Sequence, residues 1–426
     1  MARAPGCSVI DVENAGCRTP NKRRSLRALD FVNFFQADIQ TGVGPFLAVY
    51  LLATRHWDPG RIGIAMSVQG IATIVGQTPA GALIDRTPLK RTLIVLASLI
   101  IGGGSIAMVH AHGLAPVIAV QVLIGLTAVV VPVAIAAITR GLVGNDDFAP
   151  RMGRNEAFNH AGNVSGALMA GVLGQWFAQS AIFYFAAAMA LATAIATFGI
   201  RGRDIDHRMA REAAANGAEN QPASARALLA DYRIATFAGC VIMFHFANAA
   251  MLPLLGELLA RHAPRDSSAY MSACIIVAQL VMAPVALLAG RLAATVGRKR
   301  TLLIGFGVLP LRAALYTSTN VPFLLVAVQI LDGIGAGIFG VVWVIVVADL
   351  ARGTGRFNLL QGAIMTGVSV GASLSNLMTG FVVRHSGYNA GFFLLGAIAL
   401  GAFLMLLFAM PETLERAALE PLSAAT

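Results

Sequence analysis

Twelve long apolar segments, at about residues 28–53, 62–84, 91–110, 114–139, 155–178, 180–200, 233–258, 269–290, 300–318, 322–348, 357–383 and 389–410, constrain this 426-residue chain most strongly. About 20 apolar residues cross a bilayer core as an α-helix, so each segment can span. Only 12% of residues are charged, about half the usual 25% of a soluble domain, which leaves too little polar material to coat a water-facing surface. A transmembrane β-barrel needs alternating polar and apolar residues, and runs such as 129–138 and 392–410 do not alternate. The pattern predicts an all-α polytopic membrane protein of twelve transmembrane helices.

Polar stretches set the expected domain layout: a tail at 1–25, a six-helix bundle at 26–200, a linker at 201–232, a second six-helix bundle at 233–410 and a tail at 411–426. The first 25 residues hold Lys22, Arg23 and Arg24 with no apolar stretch before them, and read as a disordered cytosolic tail, not a cleaved signal. With the N-terminus inside, 25 of the 31 lysines and arginines fall on the cytoplasmic side, the bias that sets orientation during insertion. Both termini are therefore expected in the cytoplasm. The net charge of +10 becomes an orientation signal and implies no nucleic-acid partner. Arginine outnumbers lysine 28 to 3, the usage of a GC-rich genome, which points to a bacterial inner membrane.

Cys7 and Cys17 in the tail and Cys240 and Cys274 in apolar segments form neither a disulfide framework nor a metal spacing. The chain also lacks a Walker loop, HExxH and GxSxG. No enzyme activity, metal or cofactor is expected.

The two halves repeat each other. Gly81 and Lys90-Arg91-Thr92-Leu93 match Gly290 and Lys299-Arg300-Thr301-Leu302 at an offset of 209, and Val120-Gln121-Val122-Leu123 matches Val328-Gln329-Ile330-Leu331 at 208. Arg151, Glu156, Gly162 and Gly166 align with Arg356, Gln361, Gly367 and Gly371 at 205, and Pro45 with Pro253 at 208. Internal repeats of this kind let one half rock against the other around a midplane site.

The loop between segments 2 and 3, Gly81-Ala82-Leu83-Ile84-Asp85-Arg86-Thr87-Pro88-Leu89-Lys90-Arg91, resembles the G-x-x-x-D-R-x-G-R-[RK] motif of the major facilitator superfamily. The second copy runs from Gly290 through Gly297, Arg298, Lys299 and Arg300. The resemblance covers residues 25–412 and implies the two-bundle fold of that superfamily, with this loop as a gate latch. Pro88 replaces the second glycine of the first copy and Ala294 the aspartate of the second, so Asp85 and Arg86 are expected to carry any charge relay. The helix 5 series Gly162, Gly166, Gly171, Gly174 keeps the glycines of an efflux-type motif without its proline, and reads as close helix packing. Gln121 stands where many proton antiporters of the family carry arginine.

Ionisable groups within a bilayer cost several kcal/mol and usually face a cavity or a partner, which makes them the site candidates. On segment 1, Asp30, Asn33, Asp38 and Gln40 share an arc of about 160°. Asp38 lies nearest the midplane and is the expected coupling acid, while Asp30 sits close to the cytoplasmic interface. Segment 7 carries His245 and Asn248, the latter aligned with Gln40. Arg312 and Asp332, on segments 9 and 10, are expected as a buried pair, since an unpaired charge there costs much more.

The resemblance implies a secondary transporter moving a small organic solute, with protons or another cation as coupling ion and the bilayer as its surroundings. Proton-coupled efflux of a drug-like compound or metabolite is the first expectation. Uptake of an organic anion or sugar-like solute is the alternative, and a receptor that does not transport is a remote one. A monomer is expected.

Overall fold

The computed structural model describes residues 20–37, 43–144, 147–207, 210, 231–352 and 357–414. These are helical almost throughout. The first half comprises α1 (Pro20–Ala37), α2 (Val43–Ala53), α3 (Pro59–Arg86), α4 (Lys90–His110), α5 (Leu114–Ala128), α6 (Val130–Val143), α7 (Phe148–Trp176) and α8 (Ala181–Phe198). The second comprises α9 (Tyr232–Ala249), α10 (Met251–His262), α11 (Ser267–Thr295), α12 (Arg298–Ser318), α13 (Pro322–Ala327), α14 (Gln329–Leu350) and α15 (Phe357–Ala409). Eight stretches among the described residues are long and apolar enough to cross a membrane. One of them, at 359–409, covers two of the expected segments: α15 runs through both and breaks at Gly387, whose φ of 82° suits a residue without a Cβ.

Other spans are split where proline removes a backbone donor. Pro132 and Pro253 cannot bond the carbonyls of Ala128 and Ala249, four residues earlier, and α5 and α9 end at those two residues. Hydroxyls within the spans turn back on their own helix: Ser105 donates to Ile101 at 3.0 Å, Thr139 to Ile135 at 2.7 Å and Thr197 to Thr193 at 2.7 Å. That satisfies polar groups for which lipid offers no partner.

Contacts divide the chain into two compact units, one of Met1–Val43, Val75–Gly166 and Ile182–Asn216, the other of Gly44–Ile74, Ala167–Ala181 and Gly217–Thr426. Within the second unit, α2, the start of α3 and the end of α7 pack against α10, α15 and α11. A Cβ on Gly63 would collide with the carbonyl of Asn376, and one on Gly171 with the hydroxyl of Ser272.

The core of the first unit joins Leu29, Ile94, Ile135 and Ile138. The second unit has two cores, one around Phe237, Phe244, Phe306 and Val342, the other around Leu255, Leu258, Tyr316 and Phe392.

The sequence repeat has a counterpart in packing. Gly162 of α7 abuts the backbone of Phe34 on α1, and Gly371 of α15 abuts the backbone of Ile242 on α9. Phe34 and Ile242 are separated by the repeat offset of 208, while Gly162 aligns with Gly367, so the second-half contact is made one turn further along, at Gly371. Glycine at these points lets two helix backbones approach where any side chain would hold them apart.

Candidate functional site

In the first unit, Asp30 is 4% exposed and held by two arginines of α7. Arg151 Nη2 lies 2.7 Å from Oδ1 and also donates to the carbonyl of Leu26 at 3.0 Å. Arg154 grips both carboxylate oxygens, through Nε at 3.0 Å and Nη2 at 2.8 Å. Bidentate guanidinium contacts of this kind are strong and directional, so Asp30 is a clamp between α1 and α7. Asn33, one turn on, donates to the carbonyl of Leu29 at 2.8 Å. Asp38 and Gln40, the other members of the expected polar stripe, lie outside the described residues.

The loop motifs cap helices. Lys90 is fully buried, and its Nζ donates to the carbonyls of Ile84, at 2.5 Å, and Thr87, at 3.0 Å, at the end of α3. Those carbonyls have no partner inside the helix, and a cation there also opposes the helix dipole. Arg86 is exposed, Arg91 half-buried and Gly81 has open space around its α-carbon, while the side chain of Asp85 is outside the described residues. In the second copy, Arg298 pairs with Asp349 of α14 at 3.0 Å and donates to the carbonyl of Ala293 at 2.9 Å. The backbone N–H groups of Arg298 and Lys299, at the start of α12, donate to the carboxylate of Glu412 at 2.9 and 3.2 Å. Gly297, with φ of 121°, makes the turn, and a Cβ there would collide with that carboxylate. Gly290 lies in α11, and the Arg300 side chain is exposed. Asp349 and Glu412 were not candidates, although an acid just beyond the last span is a legible cue for a cap.

Another enclosed charge lies in the second unit. Arg312 of α12 is 1% exposed. Its Nη1 donates to Asp332 Oδ1 on α14 at 2.5 Å and to Asn248 Oδ1 on α9 at 2.7 Å, and its Nε to the Tyr316 hydroxyl one turn along, at 3.0 Å. One guanidinium thus ties three helices together. The Asp332 side chain keeps 15% exposure against 1% for Arg312, so the carboxylate faces accessible space and the cation does not. His245 lies one turn before Asn248, edge-on to Phe339 at 4.9 Å, with its Nε2 buried and without a hydrogen-bond partner. Among the candidates, α9, α12 and α14 bring Asn248, Arg312 and Asp332 together and leave His245 in the adjoining aromatic cluster. Tyr316 had a cue in its i, i+4 spacing from Arg312.

No group of three or more metal-binding side chains occurs among the described residues.

The sequence profile of the Major Facilitator Superfamily matches residues 29–309 and 237–424. The chain belongs to the major facilitator superfamily. It is 47% identical over 394 residues to uncharacterised MFS-type transporters of Mycobacterium tuberculosis strains CDC 1551 / Oshkosh and H37Rv, covering 92% of this chain and 94% of each relative. Among solved structures it resembles a mutant of the nucleoside transporter NupG, with a TM-score of 0.78 at 16% identity over 90% of this chain and 99% of that one. A sulfate complex of the peptide transporter POT gives 0.74 at 15% identity, covering 90% and 94%. At such identities the likeness is one of fold. The protein is therefore a multi-pass membrane transporter of the secondary class, with the twelve-helix architecture of its family.

Proposed function

We propose that this transporter moves a small hydroxyl- or amine-bearing organic solute in exchange for protons, exporting it across a bacterial inner membrane with both chain termini cytoplasmic. The reading rests on the Arg312, Asp332 and Asn248 cluster. At the repeat offsets their first-half counterparts are Gly103, Ile124 and Gln40, and that of Tyr316 is Ala107. A charged pair is thus dispensable to the repeated architecture at this depth, and its desolvation cost calls for a use beyond packing.

Arg312 is neutralised and enclosed, which makes it a poor receptor for an anionic solute. Asp332 and Asn248 offer the accessible polar atoms, and a carboxylate beside an amide suits a ligand that donates hydrogen bonds. A proton and such a solute compete for the same carboxylate, and competition at one site produces exchange. The expected gate is the loop-motif region around Gly81–Arg91 and Gly290–Arg300, with Asp38 as a further proton carrier and a monomer as the working form.

Uptake together with protons is the second reading. It is favoured by the missing proline in the helix 5 glycine series and by Gln121 in place of the antiporter arginine.

The test is counterflow in proteoliposomes without ATP. A panel of nucleosides, polyols and amines is presented under an imposed proton gradient, with Asp332→Asn in parallel. Proton efflux from vesicles driven by inward solute movement, lost in the variant, supports exchange. Co-movement of proton and solute moves the assignment to uptake, and binding without flux under any gradient rejects transport.

A further inference from the structure

A second buried acid plays no part in the cluster above. Glu257 of α10 is 5% exposed, and its Oε2 accepts a hydrogen bond from the Tyr388 hydroxyl at 3.2 Å. Among the described residues it has no ion pair, whereas Asp30 and Asp332 are each held by a guanidinium. The nearby arginines make their closest contacts with other side chains. Arg261, one turn along α10, lies over the Tyr388 ring at 4.9 Å, and Arg384 is 3.5 Å from Asp58, which also pairs with Arg61. The repeat counterpart of Glu257 is Val49, itself fully buried, so the architecture accepts an apolar side chain at this place.

Tyr388 has two environments. Its hydroxyl meets Glu257, and its side chain lines a cavity of about 720 Å³ together with His56, Trp57, Asp58, Arg261 and Arg384. Glu257 also borders a small void together with Asn376 and Thr379. Tyrosine therefore stands between an open cavity that carries charged side chains and an enclosed carboxyl group.

We propose that Glu257 is a proton-binding carboxyl loaded from this cavity through Tyr388. The hydroxyl oxygen takes a proton from cavity solvent while its own O–H breaks and that proton passes to Glu257 Oε2, leaving tyrosine neutral and the carboxyl protonated. Binding a proton here breaks no salt bridge, which distinguishes Glu257 from Asp30 and Asp332. Asp58, His56, Arg261 and Arg384 are the ionisable groups that face the route, and they set the local potential at its mouth. The proposal rests on the proton-coupled reading above but not on the direction of solute movement.

The test needs no solute. Full-length protein in lipid nanodiscs is titrated while infrared difference spectra record the C=O stretch of protonated carboxyl groups. Wild type should show a band that bleaches on alkalinisation. Glu257→Gln should lose it, and Asp332→Asn should keep it. Identical spectra for wild type and Glu257→Gln overturn the proposal. Should Glu257→Gln fail to fold, Tyr388→Phe keeps the ring under Arg261 and removes only the hydroxyl. The midpoint of the band should then shift by about half a pH unit or more, and an unchanged midpoint overturns the role of Tyr388. A lost band in a protein that shows no solute-driven proton flux keeps this site and rejects proton coupling. Flux with an unaltered band keeps proton coupling and rejects this site.

Discussion

Arg151 Nη2 and Asp30 Oδ1 meet at 2.7 Å with both side chains more than nine-tenths buried, and this contact fastens α1 to α7. Removing one partner leaves an enclosed charge, which costs about 3–5 kcal/mol. Asp30→Asn is expected to lower the melting temperature of the detergent-solubilised protein well beyond Arg154→Gln, whose side chain is more than half exposed. Adding Arg151→Met to Asp30→Asn should recover much of the loss. Equal melting of Asp30→Asn and wild type would remove the clamp from the account.

At the Arg312 cluster, stability and transport should separate. Asp332→Asn and Arg312→Met singly are expected to destabilise by about 3–5 kcal/mol, and the double variant by less than either. Counterflow should remain lost in all three if Asp332 binds solute. Restored counterflow in the double variant would make the pair structural.

Two close-packed glycines carry a steric prediction. Gly162→Ala and Gly371→Ala each push a methyl into a neighbouring backbone, at a cost of about 1–3 kcal/mol. Gly153→Ala, on the same helix as Gly162 but with nothing within 4 Å, serves as the control. There alanine should be neutral or stabilising by up to about 1 kcal/mol. Thermal melting followed by size-exclusion chromatography reads all three.

Asp231 caps α9, accepting from the Arg233 backbone N–H at 2.9 Å and from its guanidinium at 2.8 Å. The side-chain bond from Arg233 holds its carboxyl below the usual carboxylate range. A carboxyl lowered in the folded state contributes fully above its unfolded pKa of about 3.9, and that contribution fades as pH falls through the lower folded value. Asp231→Ala should therefore cost about 1 kcal/mol at neutral pH. The gap between variant and wild type should stay level from pH 8 down to about 5 and narrow only below about 4. A gap that closes near neutrality would argue against this carboxyl as the cap.

The residues differ in how legible they were. Arg312 and Asp332 can be matched as partners by their depth in adjacent apolar segments. The Asp30 clamp cannot, because Arg154 is 124 residues away and only the α1–α7 crossing brings the two together. Lys90 reads as one of several loop cations, yet it is buried against the carbonyls that end α3. Glu257 sits in a run of leucines and is plain as an anomaly, but its pairing with Tyr388 across 131 positions is not.

Sequence alone determined the number of spans, the repeat and the family, because apolar length, glycine spacing and loop charge are properties of neighbouring residues. Which acid meets a guanidinium, which meets only a hydroxyl, and which stretches of the first half pack with the second were decided by tertiary structure. Ion pairs act over about 4 Å, and only helix crossings bring distant residues within that range.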